Sequence, residues 1–205
     1  MSTDPQKATL NPVDSLILAS GSPRRKELLS TLLKKFKIIT SEVEELQSHQ
    51  DGPVQLVMEN ARIKTLAVAK SHPSQWVLGA DTLVALGDQV FGKPKDLMEA
   101  KSMLLQLSGK KHHVHTGVSL INISRDVLIT ESVSTLVTFK KLVSSSIDLY
   151  FTKVNPLDKA GAYGIQSYPE MIVDSFEGSL SNVIGLPLEL VREWLNEYLS
   201  NSMVG

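Results

Sequence analysis

Apolar positions along this chain alternate between two spacings. The runs Leu16-Ile-Leu-Ala19 and Trp76-Val-Leu-Gly-Ala80 have the continuous apolar character of buried strands. Between them, Val54, Val57, Met58, Ala61 and Val68 recur at helical spacing, predicting a helix from Pro53 to about Lys70 with Gly52-Pro53 as its start. Pro23 to about Leu33 predicts an earlier helix and Phe36 to Thr40 a short strand. Thr82 to Leu86 extends the Trp76 strand until Gly87-Asp88 turns the chain, and Asp96 caps a further helix that Gly109 ends. His113 to Ile123 and Val127 to Phe139 alternate with period two around Ser124-Arg-Asp126, the pattern of a long antiparallel hairpin. Ser144 to about Lys153 predicts a short helix. Ile172 to Phe176 and Ser181 to Ile184 flank Glu177-Gly178 as a second hairpin. Pro187 to about Leu199 predicts an amphipathic terminal helix with Leu190, Val191, Trp194, Leu195 and Tyr198 inward. Strands mixed with helices in this order argue for an α/β architecture around a mixed sheet.

At 205 residues, 42% apolar and 21% charged, the chain suits one medium domain or two small lobes. The polar stretch Met1 to Pro12 lacks the apolar core of a secretory signal and is read as a flexible extension, with the domain proper over 13–205. No apolar run approaches the length of a membrane span. A formal net charge of -1 provides no global field for a nucleic acid polymer, so basic residues matter only locally. The absence of cysteine excludes disulfides and thiolate metal sites, leaves oxygen or histidine as metal ligands, and is compatible with a cytoplasmic setting.

Locally, the basic residues are informative. Directly after the first strand, Ser22 is a good N-cap and Pro23 a good first helical residue, so the free backbone donors of that turn and the positive end of the helix dipole converge beside Ser20, Arg24 and Arg25. Two arginines in a first turn oppose the dipole, a cost that a bound anion offsets. The other reading is an ordinary capped helix with solvated arginines. Asp81 stands where the apolar strand reaches the rim of the sheet, beside the small residues Gly79 and Ala80. That is a ligand address in α/β folds, although an aspartate there also serves as a turn former or cap. Lys64 shares the stripe of Val57, Ala61 and Val68 and so points inward, toward a substrate, a buried ion pair or a snorkelled exit. Lys93 lies on the Gly92-Lys-Pro-Lys95 loop, Glu45 in an acidic cluster with Glu42 and Glu44, and Lys159 and Gln166 on a glycine-bearing loop. His113 and His115 share a strand face with no third ligand beside them, so with His112 they are read as strand and loop residues ahead of a zinc site.

Taken together, Ser20-Gly-Ser-Pro-Arg-Arg25, Gly79-Ala-Asp-Thr82, Gly92-Lys-Pro94, Leu107-Ser-Gly109 with His112, Thr116-Gly-Val118 and Asp158-Lys-Ala-Gly-Ala-Tyr-Gly-Ile-Gln166 resemble the Maf family of nucleoside triphosphate pyrophosphatases over nearly the whole chain. The resemblance implies an elongated mixed β-sheet flanked by helices, in two lobes with a central cleft like that of inosine triphosphate pyrophosphatases. It implies hydrolysis of the bond between the α and β phosphates, with Asp81 as the base acting on water and Lys64 as a catalytic or triphosphate contact. Ser20, Ser22, Arg24, Arg25, Lys93 and Lys159 are then substrate contacts, and Glu45 (or Glu44, if the register slips by one) with Asp81 holds Mg2+ or Mn2+. Thr82 and Gln166 match the positions that the family associates with pyrimidine recognition. These two residues place the resemblance in the dTTP/UTP branch, with modified uridine triphosphates as further substrates, rather than in the branch acting on 7-methylguanosine triphosphate. The chain departs from the family pattern after the glutamine, where Ser167-Tyr-Pro-Glu170 replaces glycines. A homodimer is common in the family; neither a nucleic acid polymer nor a membrane is implied as a partner. Two other functions compete: a nucleotide-binding regulator of cell division without meaningful turnover, and a purine-directed pyrophosphatase. No Walker-type phosphate loop is present.

Overall fold

In the computed structural model, residues 16–199 are described, and the extension expected over Met1 to Pro12 lies outside them. Strand β1 (Leu16–Leu18) leads through helix α1 (Pro23–Ser30) to β2 (Lys37–Ile38), and α2 (Pro53–Ser71) leads on to β3 (Trp76–Leu86). β1 lies parallel to both β2 and β3. The chain then turns into β4 (Gln89–Phe91), α3 (Leu97–Leu107) and the long hairpin of β5 (Lys111–Asn122) and β6 (Val127–Phe139). After α4 (Ser144–Phe151), β7 (Val173–Glu177) completes a seven-stranded mixed sheet, and α5 (Leu180–Ile184) and α6 (Leu188–Trp194) close the described chain. Among the described residues no helix is long and apolar enough to cross a membrane.

The topology creates an interruption in the sheet. β5 runs along one edge of β3 from Val77 to Ala85. The other edge is shared by β1, opposite Trp76 to Leu78, and β4, opposite Val84 to Leu86. Between these two short strands, Gly79 to Leu83 have no strand neighbour on that edge, so a long central strand crosses an open gap. Such a point, where neighbours diverge at the end of a parallel strand, is where α/β sheets accept ligands.

Alternation along β3 divides the core. Trp76, Leu78 and Ala80 pack on one face with Leu28 and Leu29 of α1 and with Val191 and Trp194 of α6. Val77 turns to the other face, against Val68 and Ala69 of α2, followed by Leu83 and Ala85 against Leu56 and Val57. Beyond the gap, Val84 joins a second large core with Phe91, Leu104, Ile147 and Tyr150. Two cores, one at each end of β3, thus leave the gap between them.

Helix α2 lies unusually low over the sheet because two glycines admit it. A Cβ on Gly79 would come within 2.1 Å of Thr65 Oγ1, and one on Gly117, paired with Asp81 across β3 and β5, within 2.3 Å of the Val57 carbonyl oxygen. Asp81 and Lys64 therefore face each other over a short distance.

The hairpin expected over Ile172–Phe176 and Ser181–Ile184 does not form as such. Its first arm is β7, but the second is helix α5. Gly178 takes φ 128°, Ser179 caps the helix by accepting the Asn182 N–H at 3.2 Å, and the buried Asn182 side chain donates to the Val114 carbonyl and Thr135 Oγ1. A side-chain anchor of this kind outweighs the β-branched character of the segment. The terminal helix likewise changes winding after Trp194, with Leu195–Leu199 forming a wider turn.

Gly117→Ala tests the close approach, since the atoms it would meet are backbone. We expect a loss of roughly 1–3 kcal/mol in chemical denaturation. Gly92→Ala, with no atom within 4 Å of the added carbon, is expected to change stability by less than about 0.5 kcal/mol.

Candidate active site

Every side chain named from the sequence as a contact or catalyst reaches one cleft of about 710 Å3 at the gap: Ser20, Ser22, Arg24, Arg25, Glu45, Lys64, Asp81, Thr82, Lys93, Lys159 and Gln166. That volume is within the range of small-molecule sites, roughly 300–1,000 Å3.

On one side stands α1. Ser22 is its N-cap, with the Ser22 hydroxyl oxygen 3.5 Å from the Arg25 N–H. The Arg25 guanidinium is oriented by three acceptors: Nε donates to the Gly185 carbonyl at 2.9 Å, one terminal nitrogen to Ser20 Oγ at 3.2 Å and the other to Thr82 Oγ1 at 3.1 Å. Burial lowers the pKa of Arg25, against the pull of Asp81 and Glu45, but an arginine stays charged under such conditions.

On the opposite face of β3, Lys64 Nζ bridges two carboxylates, donating to Asp81 Oδ1 at 2.6 Å and to Glu45 Oε1 at 3.0 Å. The register with Glu45 is the one that meets Lys64, and Glu44 is not among the residues lining the cleft. Asn60, one helical turn before Lys64 and 3% exposed, holds the Glu45 segment by pairing with both backbone groups of Leu46, at 2.8 and 3.0 Å. Its amide nitrogen also lies 3.5 Å from Asp81 Oδ2. Sequence reasoning passed over Asn60, although its spacing from Lys64 places both on one stripe.

The third wall is the loop from Asp158 to Gln166. Asp158 accepts from Arg24 at 2.5 Å and from Lys159 at 2.7 Å, tying α1 to this loop across the cleft. Partial burial opposes ionisation of Asp158, but the hydrogen bonds from Lys159 and Arg24 hold its pKa below the usual value. Arg24 and Lys159, expected as substrate contacts, share a carboxylate here. Arg25 and Lys93 have no ion-pair partner among the described residues.

Several contacts hold the loop. Gly161, at φ 65°, donates its N–H to the Gly92 carbonyl at 3.0 Å and packs so closely on Val84 that a Cβ would lie 2.8 Å away. The Tyr150 hydroxyl accepts the Gly164 N–H at 3.1 Å, and its burial raises that phenol to about 12, so it stays protonated. Tyr163 meets His112 Nε2 at 2.9 Å. Gln166 extends from this support to the cleft, exposed. The Ser167-Tyr-Pro-Glu170 segment then turns through Tyr168 at φ 52°, with Lys153 Nζ 4.9 Å from the centre of the tyrosine ring. His113 and His115 stack 5.5 Å apart, and His115 Nδ1 meets Ser134 Oγ at 2.7 Å.

The chain is similar to several known proteins. The family model described as Maf-like protein matches residues 15–198. A dTTP/UTP pyrophosphatase of Bacillus cytotoxicus is 48% identical over 178 residues, covering 86% of this chain and 92% of that protein. A dTTP/UTP pyrophosphatase of Clostridioides difficile is 42% identical over 186 residues, covering 91% and 96%. Among solved structures, the Ham1 protein of Staphylococcus aureus aligns over 89% of this chain and 98% of that one, with a TM-score of 0.48 and 12% identity.

His112, beneath Tyr163, provides a pH test of the loop support. It is 1% exposed and edge-on to Phe139, and its Nδ1 has no partner among the described residues, so burial pushes its pKa down from 6.5 to about 4. As pH falls from 6.5 toward 4, the unfolded chain takes up a proton at this residue that the folded chain refuses, so stability present above pH 6.5 is lost. The full loss is roughly 3 kcal/mol. We expect His112→Gln to flatten the stability profile between pH 6.5 and 5, measured by urea unfolding at each pH. A slope equal to wild type would place the proton uptake elsewhere.

Proposed function

The chain belongs to the Maf family, and from that premise we propose that it hydrolyses dTTP or UTP to the nucleoside monophosphate and pyrophosphate in this cleft. The observation that carries the reading is the convergence of Arg25, Lys64, Asp81 and Lys93, from distant parts of the chain, on one cavity. A site that gathers cations together with a carboxylate suits phosphoryl chemistry, which depends on neutralised charge and a positioned water.

In this reading Arg25 and Lys93, without a carboxylate partner among the described residues, take the polyphosphate, and the N-terminus of α1 adds its backbone donors. Arg24 and Lys159 contribute one net positive charge after sharing Asp158. Asp81 accepts the proton of a water whose oxygen bonds to the α phosphorus, while the α–β anhydride bond breaks and its electron pair leaves with pyrophosphate. Lys64 holds the Asp81 carboxylate through Oδ1, and Oδ2, 3.5 Å from the Asn60 amide nitrogen, keeps a further lone pair for the proton of the water.

The donor set fits a divalent cation. Glu45, Lys64 and Asp81 carry two negative charges and one positive, all the acidic donors are oxygens, and the Glu45 side chain is 49% exposed to the cleft. Mg2+ typically takes one or two carboxylates together with substrate phosphates, so Glu45 and Asp81 would hold it. When bound, such a cation supplies charge neutralisation at the phosphates.

Gln166 offers an amide donor and acceptor that match the edge of uracil or thymine, on a loop anchored at Gly161, Tyr163 and Gly164. A base and a metal carboxylate retained together favour turnover over a regulator that only binds nucleotide.

A panel of nucleoside triphosphates with Mg2+ or Mn2+, scored separately for pyrophosphate and monophosphate, tests the reading. dTTP and UTP are expected to react fastest, and faster ITP hydrolysis would point to the purine-directed activity. Orthophosphate with diphosphate products would show that a different bond is cut. Asp81→Asn is expected to lower kcat about 10²–10⁴-fold with the fold retained by circular dichroism, and unchanged pyrophosphate release would remove Asp81 from its role.

A further inference from the structure

Asn60 is a polar residue where the inward stripe of α2 calls for an apolar one. It stands among Leu56, Val57 and Ala61 and is 3% exposed, and asparagine is a poor interior residue for a helix. Burying its amide is unfavourable unless the hydrogen bonds are made, and a leucine of similar volume would fill the position without that cost. What the amide holds therefore matters more than how it packs. Its contact with Asp81 is long, with Nδ2 3.5 Å from Oδ2, the outer limit of a hydrogen bond. Its short contacts, at 2.8 and 3.0 Å, go to the N–H and the carbonyl of Leu46.

The stretch around Leu46 has little else to fix it. From Thr40 to Gln47 the chain is neither helix nor strand. Among the described residues, the hydrogen bonds that reach it from elsewhere are those between Asn60 and Leu46 and that from Lys64 Nζ to Glu45 Oε1. An amide that gives its oxygen to the N–H and its nitrogen to the carbonyl of one residue grips the backbone at two points, as a neighbouring strand does. Two points fix direction as well as distance. Glu45 directly precedes Leu46, so its side chain leaves a backbone whose orientation α2 sets. Asn60 and Lys64, four residues apart on one helix face, thus hold Glu45 from both ends, backbone and carboxylate.

Resting on the reading of Glu45 and Asp81 as the carboxylates for a divalent cation, we propose that Asn60 is a positioning residue that sets the affinity of the cleft for that cation through the backbone at Glu45. Two carboxylates that share a cation bind it best when their separation is fixed beforehand, since otherwise part of the binding free energy goes into ordering the looser one. Asp81 is fixed by the ladder between β3 and β5. Glu45, with its side chain 49% exposed on an irregular stretch, is the looser partner, and the order of its backbone comes from Asn60. The lengths of the three Asn60 contacts decide that its main effect runs through Leu46 and not through Asp81.

The test uses Asn60→Leu, with Asn60→Ala as a second variant whose smaller side chain lets water reach Leu46, each alone and combined with Glu45→Gln. Binding of Mn2+ without nucleotide is followed by the electron paramagnetic resonance signal of the free ion, and hydrogen exchange is read on the peptide containing Leu46. In both single variants we expect the Mn2+ dissociation constant to rise about tenfold, a usual cost of losing a residue that orients a metal ligand, and the Leu46 amide to exchange faster. In the Glu45→Gln protein the same changes should alter the residual affinity by less than about twofold, because the amide acts through that carboxylate. For UTP hydrolysis, the Mn2+ concentration giving half activation should rise about tenfold while kcat at saturating Mn2+ falls less than about threefold. An asparagine that serves packing alone would lower the unfolding temperature and leave Mn2+ affinity unchanged. The proposal is overturned by that result, by unchanged exchange at Leu46, by an equal loss of affinity without the Glu45 carboxylate, or by a wild type that takes up no Mn2+. It is overturned as well if kcat at saturating Mn2+ is what falls, by about tenfold, which would place the effect at Asp81. Since neither Mn2+ binding nor exchange needs turnover, a wild type that binds Mn2+ yet releases no pyrophosphate from UTP would refute the proposed activity and still leave this inference decidable.

Discussion

The site depends on a sheet edge left open midway along β3. β3 is held along one side by β5, yet on the other it meets β1 only as far as Leu78 and β4 only from Val84. The five residues between, Gly79 to Leu83, are secured by β5, and no described strand pairs with their second edge, where the cleft opens. Successive side chains of a strand point to opposite faces. A ligand lying in the gap therefore meets Asp81 from one layer and the Arg25–Thr82 assembly from the other.

Close helix packing turns that opening into a chemical site. Asn60 and Lys64 are a turn apart on α2, and the missing side chains of Gly79 and Gly117 let their helix settle directly over β3 and β5. Lys64 then spans two carboxylates that are far apart in sequence, and Asn60 fastens the backbone beside one of them. The cost of gathering two carboxylates is offset by the ammonium between them. Across the cleft, Asp158 does the converse, holding two cations around one carboxylate. Charge is thus arranged in small groups, one net negative at Lys64 and one net positive at Asp158, with Arg25 and Lys93 outside both.

Much of this was legible along the chain. The strand–cap–helix unit from Leu16 to Ser30, the amphipathic α2 and the β5–β6 hairpin follow from periodicity and turn chemistry, because local spacing alone decides them. The inward direction of Lys64 follows from the same stripe. The segment after Gly178 was misread as a strand because its short apolar run has no periodicity to separate the two states. What makes it a helix is an asparagine whose partners, Val114 and Thr135, lie more than forty residues away.

The sequence by itself determined most of the elements, the order of the motifs and the family to which they belong, since each is written in residues close together or in a fixed succession. Only the tertiary structure decided which charges are paired among the described residues, that Asn60 secures the Glu45 segment, and that the Thr82 hydroxyl lies between Arg25 and Thr116. The physical reason is that a hydrogen bond is fixed by distances of a few tenths of an ångström and by the number of protons available. Those depend on how α1, α2, β3 and α5 are brought against one another, a relation that no local pattern records.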